Sequence, residues 1–305
     1  MEKKSKSLKT SLPLLALTVP GLLYLLINNY IPMFGVVIAF KSQNLAKGAF
    51  GGDWVGLKNF AFLFKTKDAV IMTRNTVLYN LVFIVLGTIC AIFVAMLISE
   101  VTKSVAAKYF QNALIVPSII SMVIVSYIAY SFLNVDSGLI NKSILSALGK
   151  PAISWYSEAK YWPVILTIVY LWKNVGFMSI IYVASIAGID SSIYEAAKID
   201  GAGKINQIIN VTLPQLKPTI IITTLMSIGK IMSSDFGLFY QVPMNSGALY
   251  SATQTIDTFV YRAMMQLNDT GMASASGLYQ SIVGFILVLV ANAIVRKLSA
   301  DDALF

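Results

Sequence analysis

Apolar residues in this chain collect into six long runs, at about 12–39, 76–99, 109–133, 161–187, 216–240 and 276–296, with polar segments between them. A hydrocarbon core about 30 Å thick needs roughly 20 mostly apolar residues per helix, and each run meets that length. The pattern predicts an all-α integral membrane protein with six transmembrane helices. Its organisation reads as 1–70 (N-terminal tail, first helix and external loop), 71–297 (a five-helix core with a polar interruption at 190–218) and 298–305 (a tail).

Composition agrees with that class. The 305 residues are 57% hydrophobic and 12% charged, about half the charged share of a soluble domain. The net charge of +9 is distributed as loops of membrane proteins distribute it. With the N-terminus inside, the cytoplasmic segments 1–11, 100–108, 188–215 and 297–305 hold Lys3, Lys4, Lys6, Lys9, Lys103, Lys108, Lys198, Lys204 and Lys297. The opposite loops carry Lys41, Lys47, Lys58, Lys142 and Lys150, diluted over longer stretches and mixed with Asp53, Asp136 and Asp269. The bias favours both termini in the cytoplasm, and an even number of spans agrees with that. The first run follows a lysine-rich start but is too long for a signal-peptide core, so it is expected to remain as an uncleaved span. Trp54, Trp155, Tyr161 and Trp162 fall near expected membrane edges, where amphipathic rings prefer the headgroup level. No basic tract is interleaved with aromatics, which argues against nucleic acid. The sequence has no His and only Cys90, so it offers no His/Cys metal site and no internal disulfide.

The segment richest in information lies between the fourth and fifth runs, from Asp190 to Pro218. Ser192 followed by Glu195 fits a capping box and predicts a helix start. Gly201 and Gly203 allow that helix to end and turn. A second short helix, about 204–210, is expected to stop at Leu213-Pro214, since proline breaks helix interiors. Glu195, Ala196 and Ala197 are followed after three residues by Gly201, then after nine by Val211, and after one more by Leu213 and Pro214. Taken singly these residues have ordinary uses, a helix cap and turn punctuation. Together, at this spacing and between two spans, they resemble the EAA loop of the membrane subunits of ATP-binding-cassette (ABC) importers. Val211 stands where isoleucine is commoner.

Lys198-Ile199-Asp200-Gly201-Ala202 looks like the carbohydrate-uptake branch, which includes the maltose-transporter permeases. Segments 31–41 and 235–241 are similar to its complex-saccharide permeases. The resemblance implies the type I ABC importer permease fold and a place in the bacterial inner membrane. It further implies coupling to a cytoplasmic ATPase through Glu195, Ala196, Ala197, Asp200, Gly201, Leu213 and Pro214. The expected partners are a second, different permease, two ATPase subunits that bind ATP-Mg, an extracellular solute-binding protein and a sugar. The chain itself is expected to bind no cofactor and to be no enzyme: Gly203-Lys204 and Gly229-Lys230 are each followed by Ile, so no phosphate-cradling Walker motif is present.

Ionisable residues inside spans are costly and usually face protein or water. Lys173 falls in the fourth run, and Lys230 and Asp235 fall five residues apart in the fifth. Sugars are commonly held by aromatic faces and hydrogen-bonding side chains, which makes Trp172, Lys173, Asn174, Asp235 and Tyr240 the pathway candidates. Each also has a structural reading: snorkelling for Lys173, packing for Trp172, charge balance for Asp235. The polar segment 241–275 reads as an external loop over which a binding protein would dock, or as a surface flap. Two other functions remain open at this point. A secondary transporter would want a carboxylate-rich interior, and only Asp235 comes close. A membrane scaffold would leave the loop spacing unexplained. A non-sugar solute is a third alternative within the ABC class.

Overall fold

A computed structural model describes residues 8–42, 48, 50–101 and 105–298. Lys3, Lys4, Lys6, Lys47, Lys103 and the tail from 299 onward lie outside the described residues. The expected all-α class holds: among the described residues the only β pairing is an isolated bridge between Lys41 and Trp54. Among the described residues, four helical segments are long and apolar enough to cross a membrane: Leu15–Phe40, Lys67–Val101, Ala159–Ala187 and Thr270–Lys297. The other two expected spans are broken, and the breaks are the features that shape the molecule.

The first run forms helix α1 (Leu8–Leu25), which continues through a wider turn at Leu26–Tyr30 and ends in a tight 3-10 stretch at Phe34–Phe40. Helix α2 (Lys67–Val101) starts nine residues earlier than the apolar run. Its extra turns are held by polar side chains. Asn75 donates to the carbonyls of Ser251 and Gln254 at 3.2 and 3.0 Å, and the hydroxyl of Thr76 receives the amide of Ile256 at 3.0 Å.

The run 109–133, expected as one helix, is two: α3 (Val105–Ile119) and α4 (Met122–Leu133), bent by 94°. Pro117 cannot continue the amide ladder, and Ser121 caps α4 by accepting from the amide of Ile124. The carbonyls freed at the end of α3 would be orphans in apolar surroundings. Lys173 answers them. Its ammonium, on helix α5 (Trp162–Ala187), donates to Pro117 at 3.2 Å, to Ser118 at 3.1 Å and to Ile120. The two helices come close at Gly176, where an added Cβ would sit 1.8 Å from the carbonyl oxygen of Leu114.

The fifth expected span, 216–240, is also interrupted. A helix that begins at Lys204 runs through a wider turn (Ile208–Thr212) into α8 (Leu213–Ile228), where it stops after 16 residues. Here α6 denotes Ser191–Ile199 and α7 Lys204–Gln207. After the break comes the short helix α9 (Phe236–Tyr240). Asn80 on α2 holds the broken backbone by donating to the carbonyls of Ile231 and Ser233, both at 2.9 Å. Asp257 receives the amide and hydroxyl of Ser234 at 2.6 and 2.8 Å. The segment expected as an external loop is folded around α10 (Ile256–Met265) and leads into the last long helix, α11 (Thr270–Leu298).

Helices α2 and α5 pack along their length and form the spine. Phe83 stacks on Tyr170 at 3.8 Å between ring centres, and Tyr79 meets the edge of Phe239 at 4.8 Å. Trp162 and Leu166 are wholly buried beside them. Outside this seam, large apolar side chains are exposed on every long helix, as expected for a protein solvated by lipid or by neighbouring subunits.

Removing the Lys173 ammonium leaves the carbonyls of Ser118 and Ile120 without that donor, while the Pro117 carbonyl keeps the amide of Ile120 at 3.3 Å. Each orphaned buried acceptor costs about 1–3 kcal/mol, so Lys173→Met is expected to destabilise the protein by several kcal/mol. Thermal unfolding of the purified variant in detergent measures this. A wild-type midpoint would mean that other donors serve the break.

Candidate functional site

Two regions bring together the residues singled out from the sequence. The first is the polar turn between α5 and α8. Helix α6 is started by Asp190, whose carboxylate accepts the amide of Ser192 at 2.9 Å. The expected capping box from Ser192 to Glu195 does not form, because Ser192 lies inside the helix and Asp190 takes the cap position instead. That same amide bond holds the Asp190 carboxyl below the usual range. The helix closes with Gly201 at φ 78°, in the left-handed region where a side chain is strained. Two reversed bonds complete the turn: Ala202 N–H to the Ala197 carbonyl at 2.8 Å, and Gly201 N–H to the Lys198 carbonyl at 3.0 Å. This is a Schellman motif, the commonest glycine-dependent helix ending.

The second short helix does not stop at Leu213-Pro214. Pro214 sits in the first turn of α8, where its missing amide costs little, and the wider turn just before it absorbs the ring. The polar turn is therefore rigidly joined to α8. Tyr194 and Thr212 share a hydrogen bond at 2.9 Å, and the buried Gln207 donates to the Ala202 carbonyl at 2.8 Å. Lys204 pairs with Glu100 at the end of α2. Behind the turn lies a cavity of about 380 Å³ bordered by Glu100, Tyr194, Lys198, Lys204 and Gln207.

Outward from this scaffold, Glu195, Ala196, Asp200 and Gly201 are exposed, while Ala197 and Leu213 are half-buried. Leu213 packs with Ala91, Tyr182 and Leu216 under the turn. Isoleucines add to the exposed surface: Ile199 is 87% and Ile205 71% exposed. Sequence spacing missed these two, although an isoleucine flanked by Lys198 and Asp200 is a visible signal. Small and branched apolar side chains on a rigid knob make a surface that a partner can approach closely.

The second region lies at the break in the fifth span. Asp235 caps α9 through the amide of Leu238 at 3.1 Å, and borders a cavity of about 320 Å³ with Lys230, Asn80, Tyr170 and Ser233. The expected placement of Lys230 and Asp235 on one helix is corrected: the chain breaks between them. Among the described residues no ion pair within 4.0 Å joins them. The other pathway candidates are elsewhere. Lys173 is committed to the α3 carbonyls, and Asn174 donates to the Tyr170 carbonyl at 2.9 Å. Trp172, 45% exposed, faces an apolar groove with Phe132, Leu133 and Ile168. Tyr240 stacks on Phe236 at 4.8 Å and meets Tyr261 at 5.1 Å. Asn80 and Tyr170 went unselected in the sequence because each is one polar group in a long apolar helix.

The segment 241–275 is no loose flap. Arg262 is buried at its centre, stacked 4.1 Å over the ring of Tyr250 and bonded to the side-chain oxygens of Asn245 and Gln254, each at 3.2 Å. Burial pushes its guanidinium below the usual arginine range. Asn245 and the preceding Met244 have left-handed backbones, φ 48° and 52°, so Arg262 and Tyr250 hold a strained turn in place.

Protein LplB of Bacillus subtilis (strain 168) is 34% identical over 295 residues, covering 97% of this chain and 92% of LplB. The polygalacturonan/rhamnogalacturonan transport system permease protein YteP of the same strain is 32% identical, covering 92% of this chain and 87% of YteP. The structure of a bacterial alginate ABC transporter in complex with alginate pentasaccharide-bound periplasmic protein contains a chain with a TM-score of 0.86. It shares 28% identity and covers 98% of this chain and 99% of its own length. Residues 84–300 match the family model described as binding-protein-dependent transport system inner membrane component. The ion-driven transporter and the scaffold are set aside by that match, and the chain belongs to the family of inner membrane components of binding-protein-dependent transport systems.

Proposed function

We propose that this chain is one of two permease subunits of an ABC importer and forms half of the translocation pathway for an oligosaccharide. Its site is the bacterial inner membrane. The solute is delivered by an extracellular binding protein, and the work is done by two cytoplasmic ATPases that bind ATP-Mg. The observation that carries this reading is the exposed knob at 191–205, capped at both ends and continuous with α8. Glu195, Ala196, Ala197, Asp200 and Gly201 form its docking face, and Leu213 and Pro214 join it to the span. A push on α6 would reach α8 through the Tyr194–Thr212 and Gln207–Ala202 bonds and the backbone that stays helical from Lys204 onward. Rigid elements with two resting positions are what alternating access needs. The sugar class is supported by the substrates named for YteP and for the alginate transporter, together with the hydroxyl, amide and aromatic groups around the cavity of Asn80, Tyr170 and Asp235.

In this reading the bent pair α3–α4 is one crossing, and α8 with α9 is another. That makes six crossings with both termini cytoplasmic. With Cys90 replaced by serine, a cysteine at Ser137 should react with a membrane-impermeant maleimide in intact cells. One at Ser192 should react only after permeabilisation. The reverse pattern would overturn the orientation.

Gly201→Ala puts a Cβ on a left-handed backbone, at a strain of about 1–2 kcal/mol. The variant should insert and assemble normally, yet support oligosaccharide uptake several-fold below wild type in proteoliposomes. Ala196→Arg, on the exposed face, should instead reduce the amount of ATPase that co-purifies. Uptake and ATPase recovery at wild-type levels in both variants would remove the knob from coupling.

A further inference from the structure

The cavity of about 620 Å³ at the amino-terminal ends of α2 and α5 belongs to neither region above. One wall is a single face of α2, carrying Arg74, Leu78 and Val82; the other is Lys160, Pro163 and Thr167 at the start of α5. From these residues we infer a binding site for one anionic glycerophospholipid, its headgroup between Arg74 and Lys160 and an acyl chain along Leu78 and Val82.

The exposed face of α2 that continues below the groove supports a lipid. Exposed apolar side chains on α2 run from Leu78 through Val82, Val85, Ile89 and Phe93 to Leu97. At 1.5 Å per residue that stripe is about 28 Å long, close to the thickness of a hydrocarbon core. Arg74 lies one helical turn beyond its end, and Lys160 lies just before the buried Trp162 on the facing wall. Both cations therefore stand at phosphate level while the groove below them is apolar. Trp155 and Tyr161 flank the same end, as interfacial aromatics do.

Arg74 is also built to receive an anion. Its Nε and one terminal nitrogen are fixed on the side-chain oxygen of Asn75, at 3.3 and 3.0 Å, and that nitrogen also donates to the Ser251 carbonyl at 3.0 Å. Asn75 is buried and itself tied to the Ser251 and Gln254 carbonyls, so the guanidinium is held rather than waving. Its other terminal nitrogen has no acceptor among the described residues, nor does Arg74 pair with any carboxylate there. Lys160 lies 3.3 Å from Glu158, and its ammonium sits 4.9 Å over the Tyr161 ring. Two cations against one carboxylate leave a net positive mouth, and that selects an anionic headgroup over a zwitterionic one. In the orientation proposed above the site belongs to the outer leaflet; the binding itself does not rest on that reading.

The test uses the assembled transporter in nanodiscs of phosphatidylcholine and phosphatidylglycerol, with bound lipid counted by native mass spectrometry. Wild type should retain phosphatidylglycerol. Arg74→Gln with Lys160→Gln should retain about 25-fold less, taking roughly fivefold for each surface cation. Glu158→Gln should retain more. Leu78→Trp, which fills the groove and leaves both cations, should also lose the lipid, so a folding defect in the double variant cannot mimic the result. Retention unchanged in the double variant and in Leu78→Trp overturns the proposal. So does displacement of the lipid by inorganic phosphate, which would make this a site for the free ion. A photo-crosslinker at Leu78 that captures the second permease instead of lipid overturns it as well.

Discussion

In hydrocarbon no water is available to pair a stray carbonyl or amide, so a helix can break only where something else takes over its hydrogen bonds. This chain breaks two of its long apolar runs and satisfies both breaks with side chains from distant parts of the chain. At the α3–α4 bend the donor is the ammonium of Lys173, reaching three carbonyls at once. At the end of α8 the work is shared by Asn80, which caps two carbonyls, and Asp257, which takes an amide and a hydroxyl. In both cases the partner comes from a distant part of the chain. The breaks therefore fasten the long helices to one another as well as interrupting them, and they fix where the cavities lie.

The second break also defines what a movement at the polar turn can reach. From Lys204 to Ile228 the backbone stays helical, about 37 Å of rod at the usual rise. One end carries the exposed isoleucines and the Gly201 turn; the other ends at the cavity of Lys230 and Asp235. A loose connection at Pro214 would have separated the two. The wider turn before the proline keeps them joined, at the expense of poorer hydrogen-bond geometry over one turn. In the proposed function this rod carries the ATPase stroke, and Lys204 paired with Glu100 ties its base to α2.

Much of this was legible from the order of residues alone. The six apolar runs locate the long helices to within a turn at most of their ends, and the spacing from Glu195 to Pro214 marks the polar turn. Gly201 does what its position implies, taking a backbone that other residues resist. The failures share one cause. Periodicity reports that a segment is apolar, and a proline or a Ser-Ser-Asp cluster inside it reads as a weak blemish. Whether the helix breaks there depends on whether a donor from another helix lies within reach, which is tertiary information. For the same reason Ser192 looked like the cap: the pattern of residues three apart fits, but Asp190 is two residues earlier and its carboxylate binds the amide more strongly.

The two lysines set in apolar runs make the point in its sharpest form. Lys173 and Lys230 are alike to any reading of hydropathy, and both carry the cost of an ammonium placed among apolar side chains. Lys173 recovers that cost from backbone carbonyls, so it belongs to the architecture, and its earlier candidacy for the pathway lapses. Among the described residues Lys230 has no such partner. It stands at the end of α8, exposed beside Asp235 and Tyr170, with the cavity as its surroundings. Its charge is tolerable only if that cavity admits water or a polar solute. In the proposed function, this cavity at the helix break, bordered by Lys230 and Asp235, is where the translocation pathway would pass.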